Sequence, residues 1–258
     1  MLWSCIFDGI DNLADFTVMY EERFYRGLIK DNDLVSFTVT VKETDLYIKA
    51  TKDLHDVAIS VVKEKRARLE EYIQRHPLFL HSLKPLAVEE DEADIVRMMA
   101  AAGQTAGVGP MAAVAGAIAE LVGKELLKYS PEVIIENGGD IFLKIDKKRA
   151  IGIFAGQSVL SGRIALEIKP GMTPAGICTS SGTVGPSLSL GLADAVVVYS
   201  RSAALADAAA TAVCNMVKSE DDISNALELG RKIEGVRGLL IITGEKMGAW
   251  GNIKLLRL

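Results

Sequence analysis

Between Ser202 and Val217 the chain is nearly all Ala, Leu, Val and Met, with neither Gly nor Pro. Such an Ala-rich run reads as helix, and a helix apolar on every side has to be enclosed by other elements. The rest of the chain must therefore supply cover on more than one side of it. Asp207 and Thr211 are its odd members. Four residues apart, they leave the same face one turn from each other. A carboxylate on an apolar helix needs a partner, because burying it bare costs on the order of several kcal/mol. Two readings satisfy that need. An anionic oxygen and a hydroxyl suit a hard cation such as Mg2+, which takes one or two protein oxygens and completes its shell with water and phosphate. Alternatively, Asp207 is the N-cap of the helix and Thr211 bonds a backbone carbonyl.

The totals narrow the function classes. At 258 residues, 49% hydrophobic and 24% charged, the composition is that of a globular chain with a sizeable core. A net charge of −5 and the lack of a basic, aromatic-studded segment argue against a nucleic-acid footprint. Cys5, Cys178 and Cys214 show no metal-binding or paired spacing, which points to a reducing compartment. His55, His76 and His81 form no HExxH pattern, so a zinc site is not expected. The opening MLWSCIFDGIDNLADF has no basic start and is interrupted by Asp8, Asp11 and Asp15. It is read as neither signal nor anchor, and a cytoplasmic protein without membrane association is expected.

Residues 1–16 match nothing that follows and read as an irregular extension of a single domain spanning the chain. Strands are expected at residues 23–29, at 34–42 (LVSFTVTVK, which alternates) and at 46–50. Asp53 is expected to cap a long helix to about Arg75, and a second helix covers about 91–102. Gly107, Gly109 and Pro110 mark a loop into a helix lined with Ala112, Ala113, Ala115, Gly116, Ala117 and Ala119. Small residues there permit tight helix packing or the approach of a ligand, and its first amides would welcome a phosphate. Strands at 132–136 and 141–145 flank Asn137-Gly138-Gly139-Asp140, a hairpin turn needing positive φ. Further strands are expected at 150–154, 163–169, 175–179, 193–199, 239–243 and 250–256, with a helix from a cap at 219–222 to about Arg231. Strand and helix blocks are segregated, so α+β with antiparallel sheet fits better than a βαβ series.

Three motifs stand in a fixed order: ENGGD (Glu136 to Asp140), TSSG (Thr179 to Gly182) and ADAAAT (Ala206 to Thr211). Together with the upstream Gly-rich loop and small-residue helix, they resemble the ApbE family of FAD:protein FMN transferases, and more closely a subgroup of ApbE-like proteins. The resemblance implies a T-fold-like α+β architecture, an antiparallel sheet packed against helices. It implies FAD and Mg2+ as cofactors, with the metal held by Asp207 and Thr211. It places Gly138, Gly139 and Asp140, with Thr179, Ser180 and Gly182, at the flavin site. The partners it implies are a flavin nucleotide or related phosphorylated small molecule and a protein acceptor for FMN; relatives with this fold often place sites at contacts within homo-oligomers. The chain departs from the family pattern in four places. Glu136 stands where an Asn is usual, Ala115-Gly116 replaces a Lys-Gly pair, and TSSG carries an extra Ser. The segment after TSSG also lacks a His.

Two functions remain in view. One is a Mg2+-dependent enzyme that transfers FMN or cleaves the FAD pyrophosphate, with no catalytic base assigned. The other is a non-catalytic binder of a flavin or another anionic cofactor. A serine nucleophile at Ser180 or Ser181 lacks the GxSxG context such chemistry uses.

Overall fold

The computed structural model describes residues 33–182 and 191–258; the strand expected at 23–29 and the extension at 1–16 lie outside them. An eight-stranded, wholly antiparallel sheet dominates. Its strands, in spatial order, are β1 (Val35–Val41), β2 (Thr44–Ala50), β3 (Val133–Asn137), β4 (Asp140–Lys144), β7 (Ala175–Ser180), β8 (Ala195–Ser200), β9 (Val236–Thr243) and β10 (Lys246–Gly251). A three-stranded sheet of β11 (Leu255–Arg257), β6 (Ile164–Ile168) and β5 (Arg149–Gly152) covers one of its faces. On the other face lie α1 (His55–Arg75), α2 (Leu78–His81), α3 (Asp94–Ala106), α4 (Val114–Leu126), α5 (Ala203–Met216) and α6 (Ile223–Lys232). The antiparallel α+β architecture expected from the segregated blocks is the one observed.

Alternation divides the sheet between two cores. Phe142, Cys178, Val196, Val198, Leu239 and Ile241 point to the helices. Leu143, Ile177, Val197, Tyr199, Leu240 and Ile242 meet Ile151, Leu166 and Ile168 of the smaller sheet. Because β8 is covered on both sides, its sequence AVVVYS is an unbroken apolar run rather than an alternating one.

The helix boundaries follow local chemistry. Leu54 occupies the N-cap position of α1, and the Asp53 carboxylate accepts from the His55 amide at 2.9 Å. Pro110 opens a 3-10 turn, Pro110–Ala113, that leads into α4 rather than the α-helix itself. Ser219 and Asp222 form a capping box ahead of α6.

Small residues set how closely α4 and α5 seat. A Cβ at Gly176 would overlap the Ala203 backbone, one at Gly123 the Phe142 ring, and one at Gly116 the Ala203 carbonyl. The small-residue faces are therefore used for tight packing of α4 on α5 and of both on the sheet. No single helix among the described residues is long and apolar enough to cross a membrane.

Candidate functional site

The α5 helix is capped by Ser202, whose hydroxyl accepts from the Leu205 amide at 3.3 Å. Asp207 is therefore not the N-cap, and the capping reading of that residue is corrected. It lies inside the helix, flanked by fully buried Ala206 and Ala208, on the face that also carries Thr211. The Asp207 carboxylate crosses to α4, where Oδ2 accepts from the Gly116 amide at 2.9 Å and the Ala115 amide also donates to it. The amides that the sequence offered to a phosphate thus hold an acid of the protein's own. Only because Gly116 lacks a side chain can Asp207 come so close. In return, Glu120 of α4 reaches the start of α5. Its Oε2 accepts from the Ala203 amide at 2.7 Å and the Ser202 hydroxyl at 2.8 Å, and its Oε1 pairs with Lys124.

The second carboxylate comes from the hairpin. Gly138 and Gly139, with φ of 66° and 103°, make the two-residue turn between β3 and β4. Glu136 fastens this turn by accepting from the Gly139 amide at 2.9 Å, and Asn137 donates to the Ala115 carbonyl at 3.0 Å. Asp140, the first residue after the turn, is 8% exposed and pairs in register with Cys178 of β7. Its carboxyl lies beside the Thr179 amide and the Cys178 thiol, and that thiol donates to the Ala203 carbonyl at 3.3 Å.

Asp140, Asp207 and Thr211 open onto one cavity of about 510 Å3. That volume is in the range of small-molecule sites. Leu80, Leu83, Val108, Met111 and Leu229 give it apolar walls, and Asn215 adds a polar group one turn beyond Thr211. Gly138 and Gly139 are not among its lining residues, although the turn they form delivers Asp140 to it. Thr179, Ser180 and Gly182 do not line it either. Ser180 points to the helix face beside Cys178, while alternation turns Thr179 to the opposite face. Gly182 donates its amide to Ala193 and packs against Gly191, which in turn lies against the Cys214 carbonyl near the end of α5. A second groove of about 490 Å3, beside α1, contains none of the motif residues.

Sequence reasoning missed Asn215 and Glu120. The first had a signal, since it continues the four-residue spacing of Asp207 and Thr211. The second had none, because a Glu in a helix gives no sign that it caps a different one.

Burial raises the Asp207 carboxyl to about 7, against the opposing pull of the Gly116 and Ala115 amides. Burial also raises Asp140, and the nearby charges of Asp207 and Glu136 add to the shift. The Cys178 thiol is pushed up by burial and then by the same two aspartates. Burial of the pair and the Asp207 charge beside Asp140 disfavour ionising both carboxyls together. A cation beside them removes the conflict. The donor set, carboxylate and hydroxyl oxygen, fits a hard ion such as Mg2+. Among the described residues no three His, Cys, Asp or Glu side chains form a metal-holding group, so such an ion would depend on ligand or water oxygens as well.

Comparison with known proteins agrees with this architecture. The family described as AbpE bacteria matches residues 26–247. The chain belongs to that family. It is 43% identical over 221 residues to a UPF0280 protein of Methanocaldococcus jannaschii, covering 83% of this chain and 90% of the relative. It is 44% identical over 220 residues to a UPF0280 protein of Methanothermobacter thermautotrophicus, covering 83% and 85%. Among solved structures, the fold of this AbpE bacteria family member is similar to that of the apo flavinyl transferase ApbE of Pseudomonas stutzeri. The TM-score there is 0.56 at 14% identity, over 86% of this chain and 94% of that one. It is also similar to the ApbE protein of Thermotoga maritima, with a TM-score of 0.52 at 11% identity over 83% and 96%.

Proposed function

We propose that this AbpE bacteria family member is a Mg2+-dependent enzyme acting on a flavin nucleotide, by FMN transfer or cleavage of the FAD pyrophosphate. The observation that carries this reading is the meeting of Asp140, Asp207 and Thr211 on one cavity of small-molecule size. Family membership and a fold shared with flavinyl transferases support the flavin as ligand.

In this reading Asp207 and Thr211 hold the cation, and the Gly116 amide fixes the orientation of the Asp207 carboxylate. Asp140 adds negative charge to the same cavity. Gly138 and Gly139 form the turn that delivers Asp140 to the cavity, while Thr179, Ser180 and Gly182 stand behind its wall and support Asp140 and the end of α5 rather than touching the ligand. Bound Mg2+ would supply charge neutralisation at the phosphoanhydride. The apolar walls exclude water from a planar ring.

No histidine lines the cavity among the described residues, so no base for an acceptor hydroxyl is assigned. That gap favours a second reading, a non-catalytic binder of a flavin or another anionic cofactor. The purified protein incubated with FAD and Mg2+ decides between them. Release of AMP that stops on chelation supports the enzyme. Saturable FAD binding without AMP supports the binder, and neither binding nor AMP would refute both.

A further inference from the structure

The smaller sheet has one face that no helix or sheet covers among the described residues. Ile151, Leu166, Ile168 and Leu255 face the larger sheet, and the helices all lie on that sheet's far side. Alternation turns Ala150, Gly152, Ala165 and Leu256 the other way. A strand face left to water carries polar residues at such positions, whereas these are small or apolar. Ala165, in register between Gly152 and Leu256, is fully buried yet belongs to neither core. The rim of the same face is basic. Lys148, Lys169 and Lys254, each more than half exposed, gather on the Glu167 carboxylate at 3.4, 4.0 and 2.9 Å. One carboxylate balances only one of these three charges. At the other end of β6, Arg163 adds a further exposed charge.

We propose that this face is the docking site of the chain's own residues 1–22, MLWSCIFDGIDNLADFTVMYEE. The segment carries Asp8, Asp11, Asp15, Glu21 and Glu22 and no Lys, Arg or His, among apolar residues such as Trp3, Ile6 and Phe7. It therefore offers apolar side chains for the centre of the face and carboxylates for the rim. The connection leads to the right place. Asp33, just ahead of β1, is held by Arg149 at 2.6 Å and Lys147 at 2.7 Å, where the chain enters β5 at the lysine end of the face. The ten residues 23–32 can span about 33 Å, roughly twice the length of a five-residue strand. The family match begins at residue 26, so the segment lies outside the part of the chain that the family describes. The proposal is independent of the flavin reading.

Tryptophan fluorescence of the full chain tests this, because Trp250→Phe leaves Trp3 as the only indole. Docked, Trp3 should emit to the blue and resist acrylamide equally at every protein concentration. Lys148→Gln/Lys169→Gln thins the basic rim while keeping the short Lys254–Glu167 pair. Asp8→Asn/Asp11→Asn/Asp15→Asn neutralises the segment instead. Each set should lower the docked-to-free ratio about two- to fivefold per charge removed, the range of an exposed ion pair, and high salt should act the same way. Combining the sets should lower the ratio little further than either alone, a non-additivity that general damage to the fold would not produce. A Trp3 that acrylamide reaches freely with both rim and segment intact would overturn the proposal. So would a protected Trp3 that ignores both sets, because the segment would then lie elsewhere. Protection that grows with protein concentration would also overturn it, by giving the face to the segment of a second copy.

Discussion

Asp207 and Glu120 cap each other's helices. Asp207 of α5 accepts the Gly116 amide at the start of α4, and Glu120 of α4 accepts the Ala203 amide at the start of α5. Each carboxylate sits at the positive end of the partner's dipole and occupies donors that would otherwise be left unpaired in the core. The two caps differ in surroundings. Glu120 has Lys124 to balance it, whereas Asp207 faces the cavity beside another acid.

Glu120 should therefore matter to stability and Asp207 to ligand binding. Glu120→Ala leaves the Ser202 hydroxyl and the Ala203 amide without their acceptor, and should cost about 2–3 kcal/mol. Glu120→Gln keeps an acceptor and should cost about half as much. Asp207→Asn can still accept from Gly116 and should fold normally. Urea unfolding of the three variants measures this, and an Asp207→Asn protein as unstable as Glu120→Ala would contradict it.

The raised Asp207 carboxyl gives a pH signature in the metal-free protein. Its ordinary value is 3.8 and its folded value about 7, so between them the folded chain holds a proton that the unfolded chain has released. Stability from this group is present below about pH 4 and is lost as the pH rises through about 7. Asp33, Glu167 and Asp222 are shifted downward, so their contributions vanish only at more acid pH and do not mask the effect. In EDTA, the melting temperature of wild type minus that of Asp207→Asn should fall across this window. Added Mg2+ should flatten the curve. Parallel curves would mean that the carboxyl is not perturbed.

Two glycines should respond differently to alanine. At Gly116 a Cβ meets the Ala203 carbonyl and the Asp207 side chain, so Gly116→Ala should cost about 1–3 kcal/mol and displace Asp207. At Gly138 the space is open but φ is +66°, so strain alone should cost about 1 kcal/mol. Thermal denaturation gives the first comparison and Mg2+ titration the second. Only Gly116→Ala should weaken the cation strongly.

Thr211 supplies a hydroxyl where the reading requires one. Thr211→Val keeps the shape and should lower Mn2+ affinity, followed by paramagnetic resonance, about tenfold, roughly one charge-assisted bond. Thr211→Ser should stay near wild type. An unaffected Thr211→Val protein would remove this residue from the metal site.

Local spacing alone settled a good deal. An Ala-rich run without Gly or Pro had to be a buried helix, and Asp207 and Thr211 four residues apart had to share its face. Asn137-Gly138-Gly139-Asp140 between two apolar runs had to turn. The unbroken AVVVYS strand needed cover on both sides. Each of these follows from helix period, strand alternation or the φ freedom of glycine, which act over a few residues. What met what was decided only by the tertiary structure. The partner of Asp207 lies 91 residues earlier in the chain, and Asp140 reaches the same cavity from a hairpin on the sheet. No local rule could tell that the α4 amides would be taken by an acid instead of a phosphate. That outcome depends on the crossing of two helices, close enough to touch only because Gly116 has no side chain.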